Sequence, residues 1–181
     1  MRITKVYTKT GDDGTTELSK GERMPKDSPR IVILGALDEV NAAIGVVLAE
    51  NLNKIIEKEL EGVQHDLFNI GGELAVLEED LGLVKSDDVQ KLEEAIDSLN
   101  ESLPSLEEFV LPGGSRRSAL LYQAKVICRR TERDLVTLSH KEKINPLHLK
   151  YLNRLSDYLF VAARYENMKG GGEEQLWKRK Q

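Results

Sequence analysis

The stretch from Ile55 to Leu77, IIEKELEGVQHDLFNIGGELAVL, decides the fold. Within it Ile56, Leu60, Val63, Leu67, Ile70, Leu74 and Leu77 recur at alternating steps of four and three. That spacing gathers them on one face of an α-helix, whereas on a strand it would scatter them over both faces. Working outward, the same rhythm precedes it in Leu37, Val40, Ile44 and Val47. It follows in Val89, Leu92, Ile96, Leu99 and Leu103, then in Leu121, Ala124, Cys128, Thr131, Leu135 and Leu138, and last in Leu152, Leu155, Leu159 and Ala162. The spacing predicts five helices, at about 30–50, 53–79, 87–102, 115–142 and 146–168. Each carries one apolar face that must be covered by its neighbours, so the chain reads as an all-α, five-helix bundle.

The helix breakers agree with this division. Ser28-Pro29 and Asn145-Pro146 each read as an N-cap followed by Pro in the first turn, and Pro112-Gly113-Gly114-Ser115 reads as a turn ending in an N-cap. The connections between helices are mostly short, which makes sequential helices antiparallel. The one strand-like signal is a few residues near Ile3 to Tyr7. Two segments stand outside the bundle. Residues 8–28 are polar and Gly-rich, a length of loop that is usually functional or disordered. Residues 169–181, with Lys-Gly-Gly-Gly at their start and Trp177-Lys-Arg-Lys-Gln181 at their end, read as a flexible tail. The 181 residues are therefore read as a single domain: 1–28 an N-terminal loop, 29–168 the bundle, 169–181 the tail.

Composition narrows the function. Lys and Arg total 26 against 31 Asp and Glu, a net charge of -5, which disfavours a general nucleic-acid binder. A hydrophobic share of 40% excludes an intrinsically disordered chain. The single cysteine, Cys128, cannot form an intrachain disulfide and fits a reducing compartment. The N-terminal Met-Arg-Ile-Thr-Lys lacks the apolar core of a signal peptide, and no apolar run approaches the length of a transmembrane helix. The expectation is a cytoplasmic protein with no membrane and no nucleic acid among its partners.

Two clusters carry candidate chemistry. In Thr8-Lys9-Thr10-Gly11-Asp12-Asp13-Gly14-Thr15-Thr16 the glycines let backbone N–H groups turn toward an anion, and the hydroxyls and Lys9 add donors, as a triphosphate would require. It is neither a P-loop nor a GxGxxG loop. Composition alone favours a plainer reading, a turn-rich loop whose Asp and Thr side chains cap turns. Metal binding by Asp12 and Asp13 is weaker still, since the EF-hand spacing is missing. The second cluster, Lys125, Arg129, Glu132 and Arg133 with Arg130 adjacent, falls on one helical face. Arg forks match phosphate oxygens, and Glu132 could orient them. Taken alone, a solvated face of i, i+4 ion pairs is the favoured reading. Asp38, Asn41 and Gly45 share a polar face of the first helix, as Asn153, Asp157 and Arg164 do on the last, either as a buried interhelix or intersubunit network or as a cleft lining. His65, His140 and His148 show no ligand spacing and read as surface or core-edge residues; no metal ligand is assigned. Phe109-Val110-Leu111 before the Pro-Gly-Gly turn reads as a strand end, a helix-entry staple or a wall for a flat apolar ligand.

Taken in order, YTKTGDDGTT, GERMPKD, LGALDEVNAAIG, VQHDLFNIGGELA, FVLPGGS, CRRTER and YLNRLSDYLFVAAR resemble the PduO-type ATP:cob(I)alamin adenosyltransferase family over most of the chain. The match in order and spacing reverses the plainer readings of both clusters. The resemblance implies a ferritin-like up-down bundle assembled as a homotrimer, with active sites between subunits. It implies that ATP, carrying Mg²⁺, is held by the N-terminal loop of one subunit (Thr8, Lys9, Thr10, Gly11, Thr15, Thr16 and Lys26) and by Arg129, Arg130, Glu132, Arg133 and Asn153 of its neighbour. It implies that Co(I) of reduced cobalamin attacks the ribose 5′ carbon of ATP and releases triphosphate, with Arg129 and Lys9 stabilising the leaving group. Phe109 matches the residue that displaces the lower axial ligand of the corrinoid. A cobalamin reductase and an adenosylcobalamin-dependent mutase are the implied protein partners.

The chain departs from the family pattern at Lys125, where Arg is usual, and at Tyr122, where His is usual. In the family that Arg pairs across the subunit interface with the residue matching Asp38, and Lys125 retains the charge without the bidentate fork. Leu34 and Ala36 likewise stand where Tyr and Thr or Val are common. Lys125 and Tyr122 leave room for an alternative, a non-catalytic ATP- and cobalamin-binding carrier or sensor on the same bundle; a ligand-free structural bundle is a third reading.

Overall fold

The apolar stripe of residues 56–74 is buried throughout in the computed structural model, which describes residues 7–19, 21–77 and 81–179. Five helices form: α1 (Pro29–Leu48), α2 (Lys54–Leu74), α3 (Ser86–Asn100), α4 (Arg116–Ser139) and α5 (Pro146–Lys169). Burying a Leu or Ile side chain stabilises a fold by about 1.5–3 kcal/mol, so the stripes set which faces meet. α1 packs on α2 and α4, α4 on α5, and α5 on α3. Arg30, at the start of α1, reaches the Leu74 carbonyl at the end of α2 and Glu142 just beyond α4. His148, at the start of α5, pairs with Glu73 in the last turn of α2. The starts of α1 and α5 thus share one end of the bundle with the ends of α2 and α4, as an up-down order requires.

Polar members of the stripes are satisfied across the packing seams. Thr131 Oγ1 donates to the Ala36 carbonyl (3.2 Å), and Cys128 Sγ donates to the Leu152 carbonyl (3.3 Å). Asn41 and Gln64 exchange side chain-to-backbone hydrogen bonds of 3.1 and 3.2 Å between α1 and α2. Asn41 therefore belongs to an interhelix network. His148 is fully buried on Glu73, deeper than its expected place at the core edge, while His65 and His140 are exposed.

Six expectations are corrected. Residues 8–28 are not without regular structure: Thr15–Glu17 (β1) pairs antiparallel with Arg23–Pro25 (β2), with Thr16 opposite Met24. Three-residue strands are too short to show a convincing alternation. The strand-like residues 3–6 lie outside the described residues. α2 ends at Leu74 rather than 79, leaving Leu77 exposed. Gly71 and Gly72 weaken its last turn, and the Glu73 carboxylate accepts the backbone N–H groups of Leu83 and Val84, drawing the returning chain inward. α4 likewise stops at Ser139, short of 142. Asn145 and Ser115 cap as expected, accepting from Leu147 N (3.0 Å) and Ser118 N (3.2 Å), but Ser28 makes no side-chain cap and its buried hydroxyl has no partner. The tail is docked, since Gln175 and Trp177 pair with Leu111 and Phe109 through the backbone. Finally, α1 is long and apolar enough to cross a membrane, with mean hydropathy 2.0, which the expectation of no such run missed. In the fold its Ile33, Leu37, Val40, Ile44 and Val47 are buried against α2 and α4, the pattern of a core helix.

Candidate functional site

The N-terminal loop is built around Arg23. From β2 its Nε donates to Thr15 Oγ1 (3.1 Å) and its Nη2 to the Thr10 carbonyl (2.5 Å), so one guanidinium braces both limbs of the loop. Asp13 Oδ1 accepts from Thr15 N (2.9 Å) and Thr15 Oγ1 (2.7 Å), closing an Asx-type turn. These Thr15 hydrogen bonds, with Arg23 3.6 Å away, hold the Asp13 carboxyl below the usual carboxylate range. Asp13 is therefore a turn former. Lys9 adopts φ 63°, a left-handed conformation rare outside glycine, at the exposed tip of the loop. Lys26 N donates to the Gly14 carbonyl (2.9 Å), and a Cβ at Gly11 would sit 3.2 Å from Lys26 Nζ, so the lysine lies directly over that glycine. Thr8 and Thr10 hydroxyls are 2.9 Å apart and exposed. The loop thus presents Thr8, Lys9, Thr10 and Lys26 outward around Gly11, a donor-rich surface suited to an anion.

The α4 cluster divides in three. Lys125 and Arg129 face a cleft of about 510 Å³ that is also lined by Phe109, Val110, Asp157 and Phe160. Lys125 Nζ lies 4.9 Å from the centre of the Phe160 ring, a cation–π distance. Burial, and then the neighbouring Arg129 charge, push the Lys125 ammonium below its ordinary range. Behind it Tyr122 meets Phe160 edge-on at 6.1 Å, and burial with the nearby Glu174 charge raises its phenol to about 12. Asn153 Nδ2 donates to Glu132 Oε1 (2.9 Å) across α4 and α5. Arg130 forms an ion pair with Glu39 of α1. Arg129, Arg130 and Arg133 are all exposed.

The cleft therefore unites Arg129, Lys125 and Phe109, and α5 brings Asn153 to Glu132. The structure does not unite the loop with this cluster within one chain. Among the described residues no hydrogen bond or ion pair joins residues 8–26 to the α4 arginines, and none joins Asp38 to Lys125; Asp38 is exposed on α1. No group of three His, Cys, Asp or Glu side chains among the described residues could hold a metal ion. Arg23, Glu39, Phe160 and Trp177 were not anticipated as parts of these arrangements. Arg23 was not singled out by local pattern, since Lys20 and Lys26 flank it at the same distance in sequence and only the β1–β2 pairing selects it. Nor was Trp177, because its pairing with Phe109 joins distant parts of the chain with no local pattern.

Comparison with known proteins accords with this geometry. The sequence model described as cobalamin adenosyltransferase matches residues 6–166. The chain is 46% identical over 179 residues to a cobalamin adenosyltransferase of Cupriavidus metallidurans, covering 98% of this chain and 96% of that one. It is 45% identical over 173 residues to a corrinoid adenosyltransferase of Bacillus subtilis, covering 92% and 89%. Among solved structures, a variant PduO-type ATP:corrinoid adenosyltransferase from Lactobacillus reuteri, complexed with cobalamin and ATP, superposes with a TM-score of 0.92 at 34% identity, over 97% of this chain and 100% of that one.

Proposed function

Since the chain belongs to the cobalamin adenosyltransferase family, we propose that it transfers the 5′-deoxyadenosyl group of ATP to cob(I)alamin. The cobalt–carbon bond forms as the bond between C5′ and the triphosphate oxygen breaks, and triphosphate leaves with the electron pair. Such a displacement needs no side-chain nucleophile and no general base; it needs position and charge stabilisation. The observation that carries the reading is the cleft that sets Arg129 and Lys125 opposite the exposed Phe109.

In this reading Arg129, with Lys9 of another subunit, stabilises the departing triphosphate. Arg130, Glu132, Arg133 and Asn153 shape the nucleotide site, with the Glu132–Asn153 hydrogen bond fixing two of them. Mg²⁺ travels on the triphosphate and takes few protein ligands. Phe109 offers an apolar wall where the corrinoid's lower base would otherwise sit, and loss of that donor makes the cobalt easier to reduce. The enzyme is read as a homotrimer, as the family resemblance implies; the separation of the donor-rich loop from the arginine cluster in one chain supports a site shared between subunits. Lys125 and the exposed Asp38 are then partners across the interface. A cytoplasmic setting, with a reductase supplying electrons and a mutase receiving the product, completes the reading.

The test is anaerobic incubation with ATP, Mg²⁺ and chemically reduced cobalamin. Adenosylcobalamin, seen by its absorption spectrum, and triphosphate should appear in equal amounts. ATP consumption without adenosylcobalamin, or no product at all, overturns the proposal.

A further inference from the structure

We propose that Asn167 is a positioning residue for Phe109, acting by clamping the C-terminal segment against it; the consequence for catalysis rests on the role given to Phe109 above. Phe109 is 79% exposed, so no core packing sets its orientation. What holds it is backbone pairing to residues that follow α5. Trp177 N donates to the Phe109 carbonyl (2.7 Å), Leu111 N donates to the Gln175 carbonyl (2.8 Å), and Val110 and Leu176 form an antiparallel bridge. The Trp177 ring meets the Phe109 ring edge-on, with centroids 6.4 Å apart.

Asn167, in the last turn of α5, is 3% exposed and joins the two partners of this pairing. Its Oδ1 accepts Ser115 N (3.0 Å), from the turn that follows the Phe109–Leu111 segment. Its Nδ2 donates to the Glu173 carbonyl (3.1 Å), two residues before the backbone pairing begins at Gln175, and its own carbonyl accepts Gly172 N (2.9 Å). The side-chain amide lies between Gly114 and Gly172, and a Cβ on either would overlap it. Gly114 also needs its left-handed φ of 87°. Next to the clamp, Arg164 grips Glu174 through two hydrogen bonds (2.6 and 3.0 Å). One buried amide, admitted by two absent side chains, therefore sets where the segment carrying Phe109 and the segment carrying Trp177 meet.

Two variants test this by separate routes. Asn167→Ala removes the amide. Gly172→Ala keeps it and adds a Cβ that displaces it; Gly172 has no left-handed φ, so only the clash acts. Trp177 is the sole tryptophan, so its emission reports docking of the segment directly. Both variants should shift Trp177 emission to longer wavelength and increase its quenching by acrylamide. Both should lose at least about tenfold in turnover with reduced cobalamin, as small misplacements at a reacting centre do. With a corrinoid that lacks a lower base, turnover should stay within about threefold, and KM for ATP should not move. Phe109→Ala is assayed in parallel, and the clamp variants should reproduce its profile across the two corrinoids. If Phe109→Ala loses both corrinoids equally, the reading of Phe109 fails, while the clamp stands only if its variants copy that profile with shifted Trp177 emission. Wild-type emission in either folded variant, or a profile unlike that of Phe109→Ala, overturns the proposal.

Discussion

Arg23 holds the Thr10 carbonyl and the Thr15 hydroxyl at once, so its loss should loosen the donor-rich loop without touching the bundle. Arg23→Met is expected to raise KM for ATP about tenfold, since a positioning contact is removed while the anion-facing donors remain. Stability should stay within about 0.5 kcal/mol, because the residue is on the surface and away from the core. Steady-state kinetics together with a urea titration check both halves. An unchanged KM would show that the loop holds its shape unaided. The left-handed Lys9 belongs to the same argument, since a non-glycine residue held at φ 63° is tolerated only where its surroundings over-determine it.

Between elements, the seam of α2, α3 and α5 carries a row of carboxylates. Tyr151 donates to Asp66 Oδ2 (2.9 Å), yet burial still raises the Asp66 carboxyl, with Asp88 adding repulsion. Glu59, two helical turns earlier on the same face, is raised by burial first and by the Asp66 charge second. A carboxyl raised in the fold favours the protonated form there. Its contribution is present below the unfolded pKa and is lost as pH climbs through the folded value. Glu59→Gln should therefore stabilise the protein by about 0.5 kcal/mol at pH 7.5, a small effect because water still reaches the group. At pH 4 the advantage should vanish. Denaturant midpoints at the two pH values measure it, and a gap that does not change with pH would rule out titration of Glu59 as the cause.

At the scale of the whole molecule, the donor-rich loop and the arginine helix stand apart in one chain, and the proposed trimer brings them together. Lys9→Ala spoils one half-site and Arg129→Ala the other, so each variant alone should be nearly inactive. Co-refolded in equal amounts, they should regain about a quarter of wild-type activity, because in a closed ring each interface draws one half-site from each neighbour at random. No recovery in co-refolded mixtures that sediment as trimers would place both residues in one subunit's site.

How much of this was legible in the residues differs by element. Helix number and facing followed from the 4, 3 steps of stripes such as Ile56 to Leu74, because a helix repeats its face every 3.6 residues and burial enforces that rhythm locally. The end of α2 did not follow, since the Glu73 contacts to Leu83 and Val84 that draw the chain inward there come from residues beyond the helix. The cap at Ser28 looked like the cap at Asn145 in sequence, and only the placement of its hydroxyl separates them. The arginine cluster was legible as a face but not as three roles, since partners such as Glu39 and Asn153 come from other helices. By itself, then, the sequence determined the bundle and its family, which rest on local periodicity and ordered motifs. Only the tertiary structure decided that the tail is docked on Phe109 and that Arg23 braces the loop. Those contacts join residues distant in the chain, and no local pattern encodes a pairing that exists only once the chain has folded.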